Sequence, residues 1–200
     1  MVSIFVEGTL DEAVLRHIIG FKTNLKIGVA VSGKGRPYLA EKALSLNRSA
    51  RGYPVILLAD LDNPGACPHQ LTQQWLRETD RSRRFLIRFA ILAIEAWLLA
   101  DRSGLSRFLH VSERMVPLNP DRVPTPKIAI VNLARSSRNR AIRDALVPAQ
   151  GSKAVVGPSY NGELIRYVTQ YWDIDVAASA SDSLRRAVSR IEELAREVEA

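Results

Sequence analysis

The chain has a single cysteine, Cys67, which excludes an intramolecular disulfide and any zinc site built from several thiolates. Its three histidines, His17, His69 and His110, are scattered, and no serine or cysteine stands in a Gly-x-Ser-x-Gly elbow. Nucleophile–base catalysis therefore finds no machinery here, and Cys67, ahead of Pro68 and His69, reads as a small loop residue. No stretch approaches the roughly 20 apolar residues of a membrane span. The opening Met1-Val-Ser-Ile-Phe-Val-Glu7 lacks the basic region, long apolar core and cleavage site of a signal peptide. Aromatic residues make up only 6%; Trp75, Trp97 and Trp172 fall in helical patterns and read as core anchors rather than base-stacking platforms. There is no internal repeat and no low-complexity tract. A content of 46% hydrophobic and 24% charged residues over 200 positions suits one sizeable core, with the cytoplasm as the expected compartment and no membrane partner.

What the chain does have is a pair of carboxylates, Asp60 and Asp62, closing the apolar run Val55-Ile-Leu-Leu-Ala59. That run follows Gly52-Tyr-Pro54 and reads as an interior strand of a parallel sheet. Alternation along a strand would put residues 60 and 62 on one side, emerging where the strand ends. A second apolar run, Val2 to Val6, ends in Glu7-Gly-Thr-Leu-Asp11-Glu12, with Thr9 placed to cap a helix from about Leu10. Acids held together need a cation or a proton, and oxygen donors suit Mg²⁺ or Mn²⁺. Each acidic group alone reads as a solvated turn or a helix cap. Both directly follow strands in a βαβ pattern, where ligands bind at the carboxyl edge of the sheet. Together, Glu7, Asp60 and Asp62 point to a metal site.

The rest of the chain supports this plan. Strands are expected over 2–6, 26–31, 54–59 and 84–91, alternating with helices near 10–21, 37–50 and 68–79, which implies parallel pairing. Beyond about residue 93 the pattern turns helical, interrupted at Pro117, Pro120, Pro124 and Pro126. It closes on Ser181–Ala200, with Leu184, Val188, Ile191 and Leu194 at helical spacing. The expected division is an α/β core over 1–102 and a helical extension over 103–200 packed on it. Ser32-Gly-Lys-Gly-Arg36 lacks the Gly-Lys-Ser/Thr of a nucleotide P-loop. It reads equally as a loop placing Lys34 and Arg36 on a substrate phosphate backbone or as a solvated connection.

The net charge is +7. Arginines gather at Arg77, Arg81, Arg83, Arg84 and Arg88, and again at Arg135, Arg138, Arg140 and Arg143. Arg-rich surfaces suit phosphates, although either cluster alone reads first as a solvated face. An acidic metal centre inside a basic protein is what phosphodiester chemistry on a nucleic acid requires. Glu95 stands in apolar surroundings between Phe89 and Ala100. An unpaired buried carboxylate costs several kcal/mol, so Glu95 should be paired, protonated or bound to a cation. Asp101 reads as a cap or helix end.

Glu7-Gly-Thr-Leu-Asp11 and Asp60-Leu-Asp62 together resemble the Toprim domain of topoisomerases, DnaG-type primases and OLD-type nucleases. Glu95-Ala-Trp-Leu-Leu-Ala-Asp101, Pro126-Lys127, Gly157-Pro-Ser-Tyr160 and Ser181-Asp-Ser-Leu184 are similar to small stand-alone Toprim-like proteins of the DUF4276 and RloB-like groups. The Toprim resemblance covers about the first 100 residues. It implies a Toprim-like, Rossmann-like parallel sheet and Mg²⁺-dependent cleavage of DNA or RNA in a bacterial phage-defence or mobile-element setting. Asp60 and Asp62 would hold the metal and Glu7 would bind metal or move a proton. Asp11 and Glu95 would complete a two-metal cluster, while Lys34 or Lys127 would neutralise the phosphate. OLD-type proteins carry an ATPase domain, which by this resemblance could come from a partner. An exposed sheet edge and an Arg-rich face are compatible with a homodimer. The alternatives are a non-catalytic metal- and nucleic-acid-binding regulatory subunit and phosphoryl chemistry on a small nucleotide.

Overall fold

The computed structural model describes residues 1–63 and 65–199; Pro64, inside the turn expected after Asp62, and Ala200 lie outside the described residues. The chain begins with strand–helix alternation: β1 (Val2–Val6), α1 (Thr9–Lys22), β2 (Ile27–Val31), α2 (Gly35–Ser49), β3 (Val55–Asp60), α3 (Pro68–Leu76) and β4 (Phe85–Ala90). The strands form one parallel sheet in the order β2-β1-β3-β4. Every expected strand is present, with ends moved by one residue or less. The architecture is α/β, a parallel sheet flanked by helices.

Burial explains the composition of each strand. β3 lies between β1 and β4, and Val55 to Ala59 are all fully buried, so a continuous apolar run is required rather than an alternating one. β2 forms an edge, and its Val29 is 53% exposed. On one face of the sheet, Val55, Leu57, Ala59, Phe85, Ile87 and Phe89 pack with Leu39, Ala43 and Leu46 of α2 and with Trp75 and Leu76 of α3. Helix α1 buries Leu10, Val14, Leu15, Ile18 and Ile19 at helical spacing and contacts β1 and β3. Each such side chain contributes about 1.5–3 kcal/mol on burial. The apolar stripes therefore outweigh weak local signals, such as the poor helix propensity of Thr9.

Contacts divide the chain into two compact units, Met1–Ile91 with the chain from Arg185 onwards, and Leu92–Leu184. A division at 102/103 would group the Glu95 helix with the sheet; the contacts group it with the helices that follow. The second unit contains α4 (Glu95–Ala100), α5 (Arg102–Leu109), α6 (Pro126–Arg135), α7 (Arg140–Leu146), α8 (Tyr160–Gln170) and α9 (Ile174–Ala180), with short 3₁₀ turns at Glu113–Met115 and Pro120–Arg122. The last helix, α10 (Asp182–Glu199), buries Leu184, Ala187, Val188, Ile191, Leu194 and Ala195, the stripe expected of it.

Asp101 organises the second unit. It is fully buried and accepts from the Gly104 amide at 2.8 Å, the Tyr167 hydroxyl at 3.1 Å and the Asp173 amide at 3.0 Å. It caps α5 and ties it to α8 and to the start of α9. A buried carboxylate is tolerated where it accepts several hydrogen bonds, so Asp101 is structural. Trp97 is 1% exposed, and its indole N–H donates to Ser183 Oγ at 2.6 Å.

Gly157 sets a backbone approach between α7 and α8. A Cβ there would lie 2.4 Å from Ala145 O and 2.5 Å from Leu146 C, and the Gly157 amide donates to Leu146 O at 2.9 Å. We expect Gly157→Ala to destabilise the helical unit by about 1–3 kcal/mol. Gly162, inside α8 with open space around it, should gain about 0.5–1 kcal/mol on replacement by alanine. Urea unfolding of both variants, followed by circular dichroism, checks the opposite signs.

Candidate functional site

Strand order reverses direction between β1 and β3: the chain leaves β1 for β2 on one side and returns to β3 on the other. The crevice outside the carboxyl ends of strands at such a switch point is where open α/β sheets bind ligands. Register decides which residues meet there. Ser3 lies opposite Val55, Ile4 opposite Ile56, Phe5 opposite Leu57 and Val6 opposite Leu58. Glu7 and Asp60 are thereby delivered to adjoining strand ends, and the Asp60 amide donates to Glu7 Oε1 at 2.9 Å. Both residues are partly buried.

The β2–α2 connection closes over the same edge. Gly33 and Gly35, at φ 74° and 73°, turn their amides onto the Glu7 carbonyl at 3.0 and 3.3 Å. Lys34 between them is exposed. Arg36 reaches across from the start of α2, its guanidinium pairing with the Asp62 carboxylate and lying 5.9 Å from the Trp75 ring centre.

The other expected residues occupy different positions. Asp62 is not on the strand: β3 ends at Asp60, and Asp62 has φ 55°, so alternation does not align the two carboxylates. Asp62 is 62% exposed and faces Arg36. Asp11 is 6% exposed, and its Oδ2 accepts from the Gly8 amide at 3.1 Å, which makes it the cap of α1. The capping position is Gly8 rather than Thr9, and the helix starts one residue earlier than expected. Glu12 accepts from Ser32 and from Arg16. The Ser32 hydrogen bond first, then the Arg16 guanidinium, hold its carboxyl below the usual range. Glu95 is 2% exposed and lies in the second unit. Its Oε1 accepts from the Tyr160 hydroxyl at 3.3 Å and faces Lys127 Nζ at 3.6 Å. Burial, with the Glu95 charge behind it, pushes the Tyr160 hydroxyl well above its ordinary range, so it stays a donor. Glu95 is thus paired, one of the outcomes its setting required. Among the described residues no three histidine, cysteine, aspartate or glutamate side chains are grouped to hold a metal ion by themselves. The residues fit a single cation held by Glu7 and Asp60. Asp11 and Asp62 are engaged by the Gly8 amide and by Arg36.

Arg88 of β4 and Arg81, both in the first arginine cluster, gain neighbours that the sequence did not reveal. Arg88 and Arg81 share an electrostatic neighbourhood with Arg186, Arg190 and Glu193 of α10. Only the tertiary fold brings α10 here; its sole signal in the sequence was an amphipathic stripe. The Arg88 Nε is buried without a hydrogen-bond partner, and Glu193, the one acid of the group, is paired with Arg190. Burial first, then the like charges of Arg190 and Arg81, push the Arg88 guanidinium down to about 10. Of the second arginine cluster, Arg143 donates to the Ser137 carbonyl and Arg140 pairs with Asp144, while Arg135 and Arg138 are exposed.

The sign of the Arg88 effect follows from linkage. Below pH 10 both the folded and the unfolded chain carry the proton, so the cost of crowding is present in full. Between about pH 10 and the higher ordinary range of a guanidinium the unfolded chain binds more protons, and stability from this group rises with pH. At neutral pH, Arg88→Met should therefore raise the unfolding midpoint by a few degrees. After discounting for solvent screening, that corresponds to about 1 kcal/mol in a chain of this size. Differential scanning fluorimetry at two NaCl concentrations checks it, since salt should narrow the gap. In comparisons with known proteins, no family model matches the chain, nor does any curated protein or solved structure.

Proposed function

We propose that the sheet-bearing unit is a Toprim-like, Rossmann-like domain that acts as a Mg²⁺-dependent nuclease. It would cleave phosphodiester bonds of DNA or RNA at the carboxyl ends of β1 and β3. The observation that carries this reading is the convergence of Glu7 and Asp60 at the switch point, joined by the Asp60 amide and covered by the Lys34–Arg36 loop. Mg²⁺ is commonly held by one or two carboxylates together with waters and substrate phosphates, rather than by a full protein cage, so two acids suffice. Mn²⁺ suits the same oxygen donors. Bound there, the cation supplies positive charge against the reacting phosphate.

The chain's own residues then have separate tasks. Glu7 and Asp60 hold the cation. Lys34, exposed over the edge, meets the phosphate backbone. Arg36 can exchange Asp62 for a phosphate oxygen, since a guanidinium accommodates either anion in a bidentate manner. Asp62 in this reading keeps Arg36 in place rather than binding the metal. The group of Arg81, Arg88, Arg186 and Arg190 supplies a field that draws in a polyanion. A partner ATPase and a phage-defence or mobile-element setting remain part of the proposal on resemblance alone.

A second reading is a non-catalytic metal- and nucleic-acid-binding subunit, in which the exposed Lys34 and the Glu7–Asp60 pair serve binding alone. A cleavage assay separates the two. With Mg²⁺ or Mn²⁺, labelled DNA and RNA should be cut by the wild type and spared in EDTA. Asp60→Asn and Glu7→Gln should each lower the rate by about a hundredfold or more, the scale of losing one electrostatic contact made in a transition state. Lys34→Ala should raise KM more than it lowers kcat. Wild-type binding without cleavage under either cation would establish the second reading.

A further inference from the structure

The helical unit contains an open cavity of about 540 Å³ whose lining includes Arg107, Phe108, Asn139, Arg166, Gln170 and Tyr171. All of these belong to one unit. The volume falls within the range of small-molecule sites, but the lining is neither apolar nor acidic. It combines rings, guanidiniums and carboxamides. Phe108 is buried at 5% exposure, whereas Tyr171, at the end of α8, is 49% exposed. Their ring centres lie 5.5 Å apart at 53°. The Arg166 guanidinium sits 4.7 Å over the Phe108 ring and 6.0 Å from that of Tyr171, and Glu163 fixes it through its Nε and Nη2. Arg166 thereby extends the aromatic surface with a flat cation.

The polar groups around this surface are arranged for a planar, hydrogen-bonding, anionic ligand. Asn139 Oδ1 already accepts from the Ala141 amide at 3.0 Å, which orients its NH₂ as the group left to donate. Gln170 and Arg107 are exposed, the latter in the last turn of α5. His110 lines the same cavity in a left-handed cap conformation, φ 54°.

We propose that this cavity binds a nucleobase with its attached phosphate. The base lies on the Tyr171–Arg166 surface, its edge is read by Asn139 and Gln170, and its phosphate is held by Arg107. Base–aromatic stacking is tolerant of sequence, because every base has a π face. It demands an unstacked base, so the site selects single strands or free nucleotides over duplex. A non-aromatic anion would use the arginines and leave the half-exposed tyrosine without a role. The inference shares only its substrate class with the nuclease reading, since no residue of the sheet edge takes part.

The test uses the full chain in EDTA, where no cleavage can occur, with anisotropy of a labelled single-stranded oligonucleotide as readout. Tyr171→Ala and Arg107→Ala should each weaken binding roughly tenfold or more, the effect of removing one stacking platform or one phosphate contact. Tyr171→Trp should retain it, and the matched duplex should bind more weakly than the single strand. Competition by AMP or UMP, lost in Tyr171→Ala, would show that one nucleotide suffices. Oligonucleotide binding without such competition would assign the site to a strand. Circular dichroism establishes that each variant is folded. Wild-type affinity in Tyr171→Ala, or no binding of either ligand by the wild type, would overturn the inference. Cleavage under Mg²⁺ without binding in EDTA would overturn this inference alone, and binding in EDTA without cleavage under Mg²⁺ would overturn only the metal reading.

Discussion

The parallel register between β1 and β3 is the constraint on which the candidate chemistry depends. Four successive residue pairs, Ser3–Val55 through Val6–Leu58, are locked side by side, and almost all of them are buried. A slip of one residue would turn every side chain of β1 to the opposite face, driving Ile4 and Val6 into the space where Ser3 and Phe5 now pack. The register is therefore set by packing, far from any ligand. Its consequence is chemical: Glu7 and the Asp60 amide, separated by 53 positions in the chain, arrive at hydrogen-bond distance. The loop of Gly33 and Gly35 then fastens to the carbonyl of the same glutamate. One residue thus receives contacts from two other segments, which is how a mobile acidic side chain becomes a positioned one.

How far such a site is legible in a sequence depends on whether strand geometry persists. Glu7 and Asp60 were legible because each directly ends a buried run, where alternation and sheet topology still apply. Asp62 was not, because the backbone turns left-handed there and period-two reasoning ends with the strand. Asp11 was legible as an acid in the first turn of α1. Its assignment to a metal followed family resemblance, whereas its geometry is that of a cap on the Gly8 amide. Glu95 was recognised as a buried acid needing a partner. Tyr160 and Lys127 lie 65 and 32 positions away, and only the fold identifies them. The grouping of Arg186 and Arg190 with Arg81 and Arg88 had no local signal at all. An amphipathic helix declares which face is apolar, not which strand it covers.

In the sheet-bearing unit Glu7 and Asp60 stand at the carboxyl ends of β1 and β3, while Arg81 and Arg88 share an electrostatic neighbourhood with Arg186, Arg190 and Glu193 of α10. Such crowding works against the fold: burial, then its like-charged neighbours, push the Arg88 guanidinium down to about 10. On the proposed reading, an anion bound beside it would relieve that crowding. A polyanion meeting several guanidiniums together also gains from released counterions.

The two buried acids of the helical unit show why burial alone does not identify function. Asp101 accepts from two backbone amides and a tyrosine hydroxyl, all of which would be left unsatisfied without it. Losing such an acceptor costs about 1–3 kcal/mol for each orphaned donor, and nothing about its surroundings leaves room for a ligand. Glu95 is as deeply buried, yet its partners are one hydroxyl at 3.3 Å and one half-exposed ammonium at 3.6 Å. Neither is a backbone group, and neither contact is short. A carboxylate held by side chains alone can be released by moving them; one that caps a helix cannot. Of the two, Glu95 is the one held by side chains alone, and its ammonium partner Lys127 is 52% exposed.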